Sequence, residues 1–463
     1  MPIGRDKTRG IMQSVLEKIK PLPKEQENDQ KFAEQIVQKI RGLEGKHIEV
    51  VLAGSVARNT HLKNDKDIDV FTLFPSNVNE NELESHTSRI ADHVFGKKKW
   101  EKAFSQHPYA RGKIGEHVIE IVPGYKVENA ENLKSAVDRS PLHAKYVVHK
   151  LSEKQKDEVR LLKQFLKGIQ AYGAEIKTES VPGYVTELLI IHYGSFLEAL
   201  AAASNWKKHE VIDIEKRLAE NKASETFDSP LIIIDPVDKN RNVAAALSLN
   251  QMARFIAASR EFLKKPGEHF FFSHKQKTLS AGEIKKRLEK EEPLVIETGY
   301  PNVVWDIAWG QLKRLSKKIQ NEFEQKEFAV LRREVFTDEK NYMVLVFDLK
   351  ANVLEKAMMR TGPEVFDGHN SDSFLSAHKK NLSGPMIENG RWVVEIERQE
   401  WDAKKFVQKT LEHSKKTEKE EIRKALKKKA KILSSKEILK KYSSDKKFAE
   451  FFSSFMRGKE VFL

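Results

Sequence analysis

Residues 47–74, HIEVVLAGSVARNTHLKNDKDIDVFTLF, constrain this chain more than any other stretch. HIEVVLA at 47–53 has the β-branched alternation of a strand, and KDIDVFTLF at 66–74 alternates again. Between them Gly54-Ser55 breaks the first run, and VARNT has the character of a short helix start. Asp67 and Asp69 stand at i and i+2 of the second strand, so both side chains leave one face. Two carboxylates held together repel, and an apolar sheet face does not tolerate them unpaired. A divalent cation resolves the conflict, and magnesium binds through one or two carboxylates plus phosphate oxygens and water. Glycine lets a backbone approach a phosphate, and Ser55 and Arg58 can donate to a triphosphate. A D-x-D pair is common on solvated strands. A strand, a Gly-Ser break, a helix start and then D-I-D on the next strand is far more specific, and it points to nucleotidyl transfer.

The remaining pattern extends this unit. A helix is expected near 82–97, and HVIEIVP at 117–123 is a third strand stopped by Pro123 and Gly124. Two amphipathic helices fill 11–43, separated by the Pro21 to Pro23 turn. From 152 to about 270 the pattern turns helical. EVRLLKQFLKGI at 158–169 puts Val159, Leu162, Phe165, Leu166 and Ile169 on one face, with Lys163 on the polar side. SPLIIID at 229–235 is a short strand or an apolar connection, and a helix covers roughly 242–264. LKKPGEH at 263–269 has the turn chemistry of a boundary. Beyond it, 281–291 and 308–325 are helical, YMVLVFDL at 342–349 and RWVVEIE at 391–397 are strands, and 403–455 is helical and Lys-rich.

With 463 residues, about three domains are expected. The absence of cysteine excludes disulfides, thiol catalysis and Cys-ligated zinc, and fits a reducing cytosol. MPIGRDKTRG lacks the apolar core of a signal peptide, and LLIIHYGSFLEALAAA at 188–203 is too short to span a bilayer, so it is read as a buried helix. No membrane partner is expected, and the cytoplasm is the expected location. The formal net charge of +14 favours a polyanionic partner. Residues 411–463 carry 16 Lys/Arg against 8 Asp/Glu, a surplus of 8. A solvated helical face explains that as simply as a nucleic-acid clamp does. The interleaved Tyr442, Phe448, Phe451, Phe452 and Phe455 tilt the reading to the clamp.

GSVARNTHLKNDKDIDVF with the following LFP resembles the signature of DNA polymerase β-type nucleotidyltransferases, and more narrowly that of archaeal (class I) CCA-adding enzymes. The likeness continues through HPYARGKIGEHVIEIVPGYKV at 107–127, KSAVDRSPLHAKY at 134–146, EVRLLKQFLKGIQAYGAE at 158–175 and IDPVDKNRNVAAALS at 234–248. RTGPEVFDGHN at 360–370 and IENGRWVVEIER at 387–398 carry it nearly to the end. The first block is shared across a superfamily, whereas the ordered set is specific. The resemblance implies an α+β multidomain chain. Residues 1–150 would form a mixed-sheet, polymerase β-like catalytic head, 151–268 a helical central domain completing the nucleotide pocket, and 269–463 an α/β tRNA-binding region with a basic helical tail. It implies transfer of CMP and AMP from CTP and ATP to the acceptor end of tRNA, with Mg2+, the outer arm of the tRNA gripped by the C-terminal region, and a homodimer.

Residue by residue, the resemblance makes Asp67 and Asp69 the first two metal carboxylates and Glu120 the third, where the family usually has Asp. Ser55 and Arg58 match phosphate ligands. His143, Lys163 and Tyr172 match contacts to the triphosphate or sugar, and Arg241 matches an arginine that reads the incoming base. Without the resemblance His143 is an ordinary structural histidine, Lys163 a surface lysine, Tyr172 a helix-end anchor and Arg241 a domain ion pair. Three competing classes stand beside this one. A poly(A) polymerase or oligoadenylate synthetase shares the 52–71 signature and would make homopolymer from ATP alone. A small-molecule nucleotidyltransferase is typically shorter and lacks a basic C-terminal third. A catalytically dead RNA-binding protein is disfavoured by intact Asp67 and Asp69, and the change at Glu120 argues weakly for it.

Overall fold

The computed structural model describes residues 5–44, 48–104, 108–218, 220–272 and 277–463. His47 and His107, at the edges of two segments discussed above, lie outside them. The chain divides into two compact units, Met1–Gln276 with Glu460–Leu463, and Lys277–Lys459.

In the first unit, α1 (Arg5–Ile19) and α2 (Pro23–Glu44) are separated by the predicted proline turn, and Pro23 takes the helix-opening position. Next come β1 (Glu49–Ala53), the single turn α3 (Gly54–Ala57) and β2 (Asp67–Phe74). An Asn79/Glu82 capping box starts α4 (Glu80–Phe95), which leads to β3 (Trp100–Phe104), β4 (Pro108–Ile114) and β5 (His117–Tyr125). The five strands form one mixed sheet in the order β1-β2-β5-β4-β3. β2 pairs parallel with β5, while β1 pairs antiparallel with β2. Its apolar face, with Ile68, Val70, Ile119 and Ile121 fully buried, packs on Ile36 and Ile40 of α2 and Ile90 of α4. Asp67, Asp69 and Glu120, at alternate positions, are thereby committed to the opposite face.

Helices α5 (Arg139–Lys150), α6 (Glu153–Gly168), α7 (Gly183–Tyr193), α8 (Phe196–Ala203), α9 (Glu220–Thr226) and α10 (Leu249–Lys264) complete this unit, with a small parallel pair β6 (Glu210–Ile212) and β7 (Leu231–Ile233). Their core holds Phe165, Phe196, Phe255, Phe262 and Phe271 at 0% exposure, with Val15 and Ile19 of α1. The apolar run 188–203, expected as one helix, is two, bent by 96° at the break after Tyr193, because Gly194 adopts a φ of +90° and Ser195 caps α8. Among the described residues no single helix is long and apolar enough to cross a membrane; this bent pair passes only by composition. Most of its residues are buried in the protein core. The last residues return to this unit: Arg254 grips Glu460 through Nε (2.7 Å) and Nη2 (3.2 Å), and Phe462 is buried beside Phe270.

The second unit comprises α11 (Ala281–Glu291), β8 (Leu294–Gly299), α12 (Trp305–Gln325), β9 (Val330–Thr337), β10 (Tyr342–Leu349), β11 (Ala357–Glu364) and α13 (Gly368–Ala377). It continues with β12 (Ser383–Glu388), β13 (Arg391–Glu397), α14 (Ala403–Thr417), α15 (Glu420–Lys428), β14 (Ala430–Leu433), α16 (Ser435–Ser444) and α17 (Lys446–Arg457). Its sheets run β14-β8-β10-β9 and β11-β13-β12. The Lys-rich tail is therefore not a continuous helix: β14 interrupts it and joins the edge of the larger sheet.

The structure also corrects the aromatic part of the clamp reading. Phe448 and Phe452 are fully buried, Tyr442 and Phe455 are each 6% exposed, and Phe451 packs on the same core. The spacing 448, 452, 455 is that of a helix face turned to a core. What faces water on this segment is lysine, including Lys436, Lys440, Lys446 and Lys447. Deleting 411–463 would remove Ile422, Leu426, Phe448 and Phe452 from two cores and Phe462 from the first unit, so truncation cannot isolate an RNA-binding contribution.

Candidate active site

The parallel register sets Asp69 directly beside Glu120, and the antiparallel register sets Ala53 opposite Asp69. Asp67 lies two residues back on the same face. Burial first, then neighbouring Asp65, raises the carboxyl of Asp67 above its ordinary range. Burial also raises Asp69, against the pull of the Arg58 charge. Burial and the charge of Asp69 push Glu120 up to about 7, although Arg111 Nε stands 3.4 Å from it. Among the described residues no three Asp, Glu or His side chains gather into a ready-made metal site. Glu120 stands beside the aspartates without closing on them. The donor set fits a hard cation that takes two carboxylates from the protein and the rest from phosphate and water.

Gly54 has a role different from the one its sequence context suggested. Its φ is +72°, and a Cβ there would lie 1.8 Å from Asp69 Oδ2. The missing side chain is what seats the Asp69 carboxylate, more than what admits a phosphate. Ser55 follows in α3, where its carbonyl accepts from Thr60 N at 2.9 Å and closes the 55–60 turn.

The cations approach this face from the helical part of the same unit. Lys163 is 2% exposed, so it is not the polar-side lysine that the helix pattern suggested: α6 is covered on that side by the loop after α3. Its Nζ donates to the Thr60 carbonyl (3.1 Å) and hydroxyl (3.2 Å). Burial holds its ammonium down to about 8. Arg58 Nε donates to Glu187 Oε1 at 3.0 Å, and Thr60 Oγ1 donates to the same oxygen at 2.7 Å. Arg160, 1% exposed, fixes the loop from behind: Nε donates to the His61 carbonyl (3.0 Å) and Nη2 to the Asn59 carbonyl (2.7 Å).

A second group lies within electrostatic reach of Arg58, which acts on His143. His143 Nε2 donates to Asp235 Oδ2 (2.8 Å), and Arg241 Nη1 donates to the same oxygen (2.8 Å). The His143 ring stacks on Tyr184 with centroids 4.1 Å apart. Burial keeps His143 below the ordinary imidazole range, Asp235 opposing it. Burial would raise Asp235, but its bonds to His143 and Arg241 hold it below the usual carboxylate range. The Arg241 side chain is 38% exposed. Tyr172, half-buried, has Lys167 Nζ 5.3 Å above its ring and its hydroxyl against Gly183.

The structure thus brings Asp67, Asp69, Glu120, Ser55, Arg58 and Lys163 to one place, with His143 and Arg241 tied together beside Arg58 and Tyr172 at the α6 end. Sequence reasoning missed Glu187, Asp235 and Arg160. Glu187 had a signal: a carboxylate inside the apolar run YVTELLII needs a charged partner.

The chain is similar to known proteins over most of its length. Residues 31–143 match the family described as a nucleotidyltransferase domain, 157–272 the second domain of tRNA nucleotidyltransferase, and 291–435 the CCA-adding enzyme C-terminal domain. The CCA-adding enzyme of Methanocaldococcus jannaschii is 39% identical over 382 residues, covering 80% of this chain and 84% of that protein. Those of Pyrobaculum islandicum and Archaeoglobus fulgidus are 35% and 36% identical, covering 82% and 83% of this chain and 89% and 85% of theirs.

Proposed function

This chain belongs to the CCA-adding enzyme family, and from that premise we propose that it builds and repairs the 3′-terminal CCA of tRNA from CTP and ATP without a nucleic-acid template. It is a nucleotidyltransferase. The observation that carries the mechanism is the meeting of the Asp67, Asp69 and Glu120 carboxylates with the Arg58 and Lys163 cations across the 55–60 turn.

Asp67 and Asp69, with triphosphate oxygens, are the residues that would hold magnesium. When bound, it supplies a lowered pKa to the tRNA 3′-hydroxyl and charge neutralisation to the leaving pyrophosphate. Glu120, poised near neutrality, is placed to take the hydroxyl proton or to join the metal shell. The 3′-oxygen attacks the α-phosphate in line, the bond to the β-phosphate oxygen breaks, and pyrophosphate leaves. Arg58 and Lys163 bear the charge of the β- and γ-phosphates, Ser55 donates to them, and His143 and Tyr172 hold the triphosphate or sugar. Arg241, anchored by Asp235 and partly exposed, reads the base edge. The test is stoichiometric: one pyrophosphate is released per nucleotide added, and α,β-methylene analogues give neither product. Extension with such analogues overturns the mechanism.

Glu120 allows a finer test. Glu120→Gln should cost about a hundredfold or more in rate, and Glu120→Asp should be active, since Asp is the family's usual residue. The stability signature has a definite sign. The Glu120 carboxyl titrates near 7 in the folded chain and near 4.5 when unperturbed. The folded state therefore binds the extra proton, and metal-free stability falls as pH rises from about 4.5 to about 7. Glu120→Gln should flatten this dependence relative to wild type. Near wild-type turnover of the Gln variant at low magnesium removes Glu120 from the site.

The tRNA is gripped, in this reading, by the exposed lysines of the C-terminal unit. Replacing Lys436, Lys440, Lys446 and Lys447 with Gln should reduce the slope of log affinity against log salt by about 0.9 per lost phosphate contact, with CTP binding retained. An unchanged slope removes this face from the tRNA interface. A cytoplasmic location and a homodimer are part of the same proposal, supported by the cysteine-free composition for the first and by family resemblance for the second.

A further inference from the structure

Glu187 on α7 is 0% exposed and belongs to no step described so far. One oxygen, Oε1, receives Arg58 Nε at 3.0 Å and Thr60 Oγ1 at 2.7 Å, and lies 3.8 Å from Lys163 Nζ. The other oxygen, Oε2, is buried and has no hydrogen-bond partner among the described residues. A carboxylate without solvent and with a spare lone-pair set is costly to keep unless its charge is needed. It is needed here because two cations converge on this spot from different elements: Arg58 from the turn after β1, and Lys163 from α6.

In the nucleotide-free site those cations have another carboxylate within electrostatic reach, since both Arg58 and Lys163 act on Asp69. A guanidinium that collapsed onto Asp69 would neutralise the group that must take a cation. We infer that Glu187 is a positioning residue for the triphosphate: it holds Arg58 and Lys163 on the phosphate side of the 55–60 turn and away from Asp69. The inference rests on the reading of Arg58 and Lys163 as phosphate ligands. Glu187 touches no substrate atom; it acts by preorganising the groups that do. One carboxylate does not balance two cations, so Arg58 and Lys163 keep positive charge to offer a polyphosphate. Glu187 also opposes the burial that would strip Lys163 of its proton.

The test is binding without chemistry. Calorimetry with full-length protein measures the α,β-methylene analogue of CTP, CMP, and a tRNA lacking CCA, for wild type and Glu187→Gln, which keeps the side chain's shape. The expected result is at least a tenfold loss of affinity for the triphosphate analogue, a change within about twofold for CMP, and unchanged tRNA binding. The magnesium concentration needed for half-maximal analogue binding should rise as well. Equal losses for CMP and the analogue would mean that the pocket has simply deformed, and would overturn the inference, as would no loss for either. Should Glu187→Gln fail to fold, Thr60→Val removes a hydroxyl that donates to the same oxygen. It should give a smaller loss of the same triphosphate-selective kind. If neither variant folds, Glu187 is a folding element and the inference falls. Failure of wild-type protein to bind the CTP analogue overturns the functional reading itself, a result separate from any behaviour of the variants.

Discussion

Asp69→Asn should lower CCA addition on the order of a thousandfold, while leaving tRNA affinity unchanged or slightly higher. The substitution preserves volume and removes the charge on which magnesium depends. The structure adds a second half to the prediction. Asp69 lies against Glu120 across the β2–β5 pair, two residues from Asp67, and burial raises it. In metal-free protein this crowding is a cost to folding, so the Asn variant should melt at the same temperature as wild type or higher. Activity lost together with stability gained is the signature of a site built against its own repulsion. Rate assays at saturating CTP, paired with melting curves in chelator, measure both. An active Asn variant, or one that melts well below wild type, contradicts the account.

The second large effect comes from a residue with no side chain. Gly54→Ala should abolish activity nearly as completely, by at least about a hundredfold. The new Cβ would sit 1.8 Å from Asp69 Oδ2, closer than any real contact, so the carboxylate must leave its place. The φ of +72° adds strain of about 1–2 kcal/mol for any L-residue. A cross-check separates the two causes. In the Gly54→Ala/Asp69→Ala double variant the clash with the carboxyl group is gone and a tight Cβ contact at 3.2 Å is left, so melting should recover in large part, and activity should not return. Recovery of activity, or a fully active Gly54→Ala protein, shows that the Asp69 position is not what matters.

Much of this was legible before the structure. The strands at 342–349 and 391–397 and the helix at 281–291 end where their patterns end. The head announced itself because carboxylates alternate with buried apolar residues where β2 begins, at Asp67 to Val70, and around Glu120 in β5. Where both faces are covered, the signal vanishes: β8 is buried at all six positions, so LVIETG shows no alternation and was not anticipated. The same physics misplaced Lys163, which faces a covered side of α6 where only exposure was expected. The run 442–455 erred in the opposite direction. Its basic composition suggested a surface, and the aromatic residues were counted with it, though their helical spacing already marked them as core. Composition reports what a segment contains and periodicity reports which way it faces. Glu187 and Asp235 were hidden for another reason. Each is defined by partners 129 and 92 residues away, Arg58 and His143, and no local pattern carries such a pairing.

On the proposed function, this site adds C, C and A to tRNA and nothing else. The direct measurement supplies the protein with a tRNA ending at its discriminator base, with each nucleotide singly and with CTP and ATP together, and sequences the product ends. The expected products are two C residues from CTP alone, a completed CCA from the pair, and little addition from UTP or GTP. Homopolymeric tails from ATP alone, or equal use of all four nucleotides, would contradict it.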